Sequence, residues 1–264
     1  MSAQAAPLLP PDSVVSALRA AGCVFAEDEA ELILSTARTP GEAAAMVRRR
    51  AAGLPLEHVV GWAAFHGLRI AVEPGVFVPR RRTEFLVDQA ARLLPPRPVV
   101  VDLCCGSGAL GVALVAGLDA FELHAADIEP AAVRCARRNV VPAGGRVHEG
   151  DLFDPLPAGL RGRVDVLLAN VPYVPTGEVG LLPAEARAHE PLVALDGGAD
   201  GLDVLRRVAA EAPRWLAPGG HLLFETTERQ VADALDAVAG GGLTAAVARS
   251  DEHSATVVVG GRPV

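Results

Sequence analysis

The chain has no lysine: all 24 of its basic residues are arginine. Such one-sided usage reads as the mark of a GC-rich coding sequence and carries no functional weight. Aromatic residues are scarce, at 4% against 50% hydrophobic residues overall, so the core has to be built from aliphatic side chains. Positive charge is in deficit too. The net charge is −8 and the isoelectric point near 5.4, which excludes a broad electrostatic footprint for nucleic acid and leaves room only for a local basic patch. The four cysteines lack metal spacing. Cys104 and Cys105 are adjacent, Cys23 and Cys135 are remote, and no Cys/His cluster accompanies them. No metal is therefore expected, and a reduced, cytoplasmic protein is. No apolar run reaches the roughly 18 residues of a membrane span. The first residues also lack a basic stretch leading into a continuous apolar one. The expectation is a soluble protein with no membrane partner and no repeats.

What the chain does have is alternation. Its 264 residues suffice for one large α/β domain and a small accessory unit. Residues 11–51 read as three helices. Asp12 or Ser13 caps the first, which Gly22 stops; the second runs over Ala26–Ala37; Thr39 caps the third, with Pro40 at its start. Arg48-Arg49-Arg50 closes that third helix as a solvated end complementing the dipole, with a partner-binding face as the alternative. Val59-Val60 and Leu68–Val72 read as two short strands of a linking hairpin, and Thr83 as the cap of a helix over Glu84–Leu94. From Pro98 onward strands and helices alternate, which predicts a doubly wound sheet. The short connection between the last two strands predicts an antiparallel hairpin at one edge. The expected division is 1–53 helical, 54–77 hairpin linker, and 78–264 the α/β domain.

Two stretches carry chemistry. Val164–Ala169 is a buried strand ending in Asn170-Val171-Pro172-Tyr173. Ligands in open α/β sheets bind beyond the carboxyl ends of strands, and an asparagine there offers one acceptor and two donors to a planar group bearing an NH2. An ordinary strand-end turn uses the same residues. The second stretch, Val99–Leu103 followed by Cys104-Cys105-Gly106-Ser107-Gly108, is a strand, a tight glycine turn and a helix start. Asp127-Ile128 ends the next strand, where an acid accepts from both ribose hydroxyls, and Asp151-Leu152 follows the third, where an acid and an apolar cover suit an adenine. Asp102 before the glycines would repel a pyrophosphate and suits a cationic amino group, so S-adenosylmethionine is favoured over a dinucleotide.

With these motifs in place the chain resembles the S-adenosylmethionine-dependent protein glutamine methyltransferases, the group that modifies peptide-chain release factors. Pro55–Gly61 with Phe65–Leu68 is similar to that family's linker, and Pro79-Arg80 with Thr83-Glu84 to its P-R-x-x-T-E segment. Asn170–Tyr173 is similar to its N-P-P-Y, and His189-Glu190-Pro191-Leu192 to a downstream F-E-P-L. The resemblance implies a seven-stranded Rossmann-like sheet with an N-terminal helical substrate-docking domain, and S-adenosylmethionine as cofactor. Asp102, Cys104–Gly108, Asp127, Ile128, Asp151, Leu152 and Asn170 would lie around that cofactor. It implies catalysis by Asn170, Val171, Pro172 and Tyr173, where Asn170 and the carbonyl of residue 171 accept from the target amide. Arg80, Thr83, Glu84 and Glu190 would face the substrate, a glutamine-bearing protein of the release-factor kind, with the enzyme a monomer. Three departures stand out: Val171 for the first proline, Arg81-Arg82 for a proline–acid pair, and Thr226-Thr227 where a glycine is usual after Glu225. Two other readings compete: an amino-group methyltransferase of nucleic acid, stacking a flipped base on Tyr173, and a binding module without turnover.

Overall fold

The computed structural model describes residues 9–264; the first eight positions of the expected N-terminal unit lie outside the described residues. Four helices open the chain: α1 (Pro11–Ala20), α2 (Ala26–Thr36), α3 (Pro40–Ala51) and α4 (Leu56–Val60). Gly22, at φ +89°, turns the chain out of α1, and Thr39 accepts the Glu42 N–H to cap α3, as its side chain predicts. Val14, Leu18, Ala30 and Ile33 are buried together, and Leu56, Val60 and Trp62 from the linker pack onto the same cluster. Of the arginines ending α3, Arg48 and Arg49 are exposed, as a solvated end requires, but Arg50 is partly buried. The Arg49 guanidinium donates to the His58 carbonyl at 2.9 Å, and Arg50 forks onto the buried Glu29 at 2.6 and 2.9 Å while donating to the Leu54 carbonyl at 2.8 Å. A charged fork aimed at carbonyls and a carboxylate ties the helical unit to the linker.

The linker itself departs from expectation. Val59 and Val60, read as strand, sit in the one-turn helix α4 that Gly61 ends at φ +83°. The antiparallel pair is instead β1 (Trp62–Phe65) with β2 (Leu68–Ala71), turning through His66-Gly67. Helix α5 (Glu84–Ala91) is shorter than predicted and is not capped by Thr83, whose hydroxyl donates to Glu225 at 2.7 Å. A tertiary acceptor outcompetes the local one.

The rest is a seven-stranded sheet: β3 (Val99–Leu103), β4 (Glu122–Asp127), β5 (Arg146–Glu149), β6 (Val164–Ala169), β7 (Leu216–Thr226), β8 (Thr244–Ser250) and β9 (Ala255–Gly261), in the order 5-4-3-6-7-9-8. Five strands run parallel, and the last two close the edge as an antiparallel hairpin. Helices α6 (Ala109–Val115), α7 (Pro130–Val140), α8 (Ala184–His189), α9 (Asp203–Trp215) and α10 (Val231–Gly240) complete the fold. The central strands are buried on both faces, as continuous Val/Leu runs require. Strand order reverses at β3, so the crevice beyond the carboxyl ends of β3 and β6 is the switch point where such sheets take ligands. Among the described residues, no helix is long and apolar enough to cross a membrane, and no group of three or more His, Cys, Asp or Glu could hold a metal ion.

Candidate active site

Register decides what meets at the switch point. Leu103 of β3 is paired with Ala126 of β4 on one side and Ala169 of β6 on the other. The next residue of each strand is therefore carried to the sheet's rim side by side: Cys104, the start of the glycine turn, Asp127 and Asn170. A cavity of about 1470 Å³ opens there, and all three line it. Cys104 adopts φ +52° and Gly106 φ +54°, so consecutive peptides curl tightly over the strand end. A Cβ built on Gly106 would meet nothing within 4 Å, which leaves its face open for a ligand to approach the backbone closely. Asp127 holds the turn: one carboxylate oxygen accepts the Gly106 N–H at 2.8 Å and the other the Glu129 N–H at 2.9 Å. Burial pushes its carboxyl up from the usual range, opposed by those backbone donors. A carboxylate has about four acceptor sites, so two remain for hydroxyl donors.

The other expected cofactor residues divide. Cys105 and Ser107 line the cavity, and Ile128 is half exposed on its wall. Burial raises both thiols of the turn far above the ordinary range, so they are inert walls. Asp102 is fully buried beneath the turn, accepts the Gly111 N–H at 2.9 Å, and is pushed up to about 7 by burial. It braces the start of α6 and does not reach the cavity wall. Gly108, at φ +76°, also serves packing, because a Cβ there would come within 2.5 Å of Val140 on α7. Asp151 and Leu152 stand off the wall, with Asp151 held at 2.5 Å by Arg207.

Asn170, Val171, Pro172 and Tyr173 all line the cavity. The Asn170 Oδ1 is buried and has no hydrogen-bond partner among the described residues. Val171 is buried in the main core cluster and anchors the turn by its side chain. The Tyr173 hydroxyl donates to Glu225 at 3.0 Å and accepts from Arg82. Burial pushes its pKa up, so it is no general base.

Of the expected substrate-facing residues, Arg80, Thr83 and Glu190 line the cavity. Arg80 donates to the buried Glu190 carboxylate at 2.6 Å, and the Val78 N–H adds a bond at 3.2 Å. Glu84 does not line it; its carboxylate accepts the His66 N–H at 2.8 Å and ties down the β-hairpin turn. Glu225 and Gln230 were missed. Glu225 lies two residues beyond Leu223, which pairs with Leu168, so it stands level with Asn170, one residue before β7 ends at Thr226. Applying the strand-end rule to every parallel strand would have found it.

Residues 67–185 match the family model described as methyltransferase small domain. The release factor glutamine methyltransferase of Geobacter sulfurreducens is 38% identical over 82% of this chain and 76% of its own length. The chain belongs to the release factor glutamine methyltransferase family. It is a methyltransferase, and S-adenosylmethionine is the donor. The open face of Gly106 and the spare acceptor sites of Asp127 fit that donor. A 4-amino-L-phenylalanine/4-methylamino-L-phenylalanine methyltransferase of Streptomyces pristinaespiralis is 42% identical over 70% of this chain and 65% of its own length. Among solved structures, a methyltransferase from Pyrococcus furiosus superposes with a TM-score of 0.58 at 14% identity, covering 75% of this chain and 90% of that one, which shows the shared fold.

Proposed function

We propose that this protein methylates the side-chain amide nitrogen of a glutamine in a protein of the release-factor kind, acting in the cytoplasm as a monomer. The observation that carries the reading is Asn170 on the cavity wall, one residue beyond the strand that flanks the glycine turn, with a buried Oδ1 that has no partner among the described residues. An amide nitrogen is a weak nucleophile because its lone pair is delocalised into the carbonyl. Two acceptors, Asn170 Oδ1 and the carbonyl of Val171, would hold both N–H bonds and set the plane of the NH2. Positioning of this kind contributes about 7–11 kcal/mol in favourable cases, and the same acceptors stabilise the positive charge that grows on nitrogen. S-adenosylmethionine, when bound, supplies the electrophilic methyl. No base has to act first, since an N-methylated amide cation is strongly acidic and loses its proton to water.

The chemistry of a planar NH2 does not by itself separate an amide from an aromatic amine. Similarity to the Streptomyces pristinaespiralis enzyme, whose acceptor is an aromatic amine by its name, favours that second class. The deciding experiment supplies labelled donor with a glutamine-containing protein extract, 4-amino-L-phenylalanine and RNA in parallel, and locates the label by mass spectrometry. Label on a glutamine supports the proposal; label confined to the aromatic amine or to RNA overturns it.

The helical unit is proposed to dock the substrate. Phe25, 67% exposed, and Leu181, 81% exposed, both line the cavity from opposite units and leave apolar surface at its mouth. A chain starting at Leu54 is expected to keep donor affinity, because the glycine turn and Asp127 lie wholly in the sheet domain. It should lose methylation of the full-length protein acceptor. Normal turnover of that acceptor by the truncated chain would remove the docking role.

A further inference from the structure

We propose that Arg82 is a positioning residue of the acceptor turn, fixing Tyr173 and through it the Asn170–Tyr173 segment. The inference rests on the acceptor role proposed for that segment. Pro172 restricts its own φ, but Val171 lacks the ring that would fix the φ before it and is held by the burial of its side chain alone. The structure holds Tyr173 from both ends instead. At the ring end, Arg82 Nε pairs with Glu225 Oε1 at 2.7 Å while its Nη2 donates to the Tyr173 hydroxyl, which in turn donates to the same Glu225 oxygen at 3.0 Å. The guanidinium carbon lies 5.8 Å from the centre of the Tyr173 ring. At the backbone end, Gln230 Nε2 donates to the Tyr173 carbonyl at 2.9 Å.

Each holder is itself oriented. The Glu225 side chain is only 4% exposed and takes the Thr83 hydroxyl on its other oxygen at 2.7 Å. Arg82 is the cation paired with this buried carboxylate. The Gln230 carbonyl accepts the Thr227 hydroxyl at 2.7 Å and the Thr226 hydroxyl at 3.3 Å, which turns its NH2 towards Tyr173. So Arg82 and Thr226-Thr227, two of the places where the chain departs from its resemblance, converge on one residue of the turn that holds the third departure, Val171. The turn has little slack: a Cβ on Gly201 would sit 2.2 Å from the Tyr173 carbonyl oxygen. A planar guanidinium spans both Glu225 and the tyrosine hydroxyl; a lysine ammonium does not.

Arg82→Met keeps the aliphatic stem and removes both donors. It should lower kcat on a glutamine-containing acceptor about tenfold, since small misplacement near the reacting group is costly. Donor Kd should stay within about twofold of wild type, and Arg82→Lys should recover less than half of the loss. Because Arg82 acts through the tyrosine hydroxyl, combining it with Tyr173→Phe should cost no more than the worse single change. In a Val171→Pro chain the Arg82→Met loss should shrink to about twofold. A second readout needs no acceptor. The Val174 N–H donates to the Leu195 carbonyl at 3.1 Å, and its hydrogen exchange should quicken about fivefold or more in Arg82→Met. Additive losses with Tyr173→Phe, an equal loss in the Val171→Pro chain, or unchanged exchange at Val174 would each overturn the positioning role. A wild-type protein that transfers no methyl to glutamine would sink the acceptor reading alone, and exchange at Val174 would still decide the clamp.

Discussion

Asn170→Ala is expected to slow methyl transfer by on the order of 100–1000-fold while leaving donor affinity near its wild-type value. That is the usual cost of removing one preorganised polar group aimed at developing charge. The structure makes the experiment readable. Asn170 Oδ1 has no internal partner, so its loss strands no buried donor and should cost little stability. The neighbouring Val171 side chain, buried in the core, continues to anchor the turn. The contact is made mainly as charge builds on nitrogen, so the loss belongs in the rate and not in the acceptor KM. Single-turnover measurement with a glutamine-bearing acceptor checks this. A near-normal rate in a folded variant would reduce Asn170–Tyr173 to a strand-end turn.

Much of this site was legible because strand periodicity and the strand-end rule are both local. The buried runs at Val99–Leu103 and Val164–Ala169 lie on adjacent strands, and the residues that follow them meet at the rim. The edge hairpin followed from the short connection Arg249–Ala255, too short for a crossover. What was not legible depended on partners distant in sequence. Thr83 has every local qualification as a helix cap, yet Glu225 takes its hydroxyl across 142 positions. Asp102 sits one residue short of the strand end, and a strand buried at all five positions shows no alternation to say which way it faces. Val59-Val60 has strand composition, but Pro55 before it and a left-handed Gly61 after it leave room for only one helical turn. The segment between Thr176 and Ala194 shows no period in the sequence because its short helical turns, each preceded by a proline, are too brief to display one. Arg81-Arg82 stand in the sequence only as a departure from a proline–acid pair. Arg82 is exposed, yet its fork is spent on Glu225 and Tyr173.

Asp127→Ala should weaken S-adenosylmethionine binding by about 1.5–3 kcal/mol, the range for losing a charge-assisted hydrogen bond. This is roughly a ten- to hundredfold rise in Kd. Two effects contribute with the same sign. Asp127 lines the cavity, where its remaining acceptor sites would suit a ribose diol, and alanine offers none. The same carboxylate also takes the Gly106 and Glu129 N–H groups, so its removal should loosen the glycine turn on which the donor is proposed to pack. Asp127→Asn separates the two. Its carbonyl oxygen keeps one backbone donor, but its NH2 confronts the other and leaves one diol hydroxyl without an acceptor, so the loss should persist. If the carboxylate served only to shape the turn, a folded Asp127→Asn protein whose Gly106 amide stays protected from exchange would bind donor normally. Calorimetric titration of both variants beside hydrogen exchange at Gly106 distinguishes the cases, and unchanged affinity with a protected Gly106 amide would remove Asp127 from the donor site.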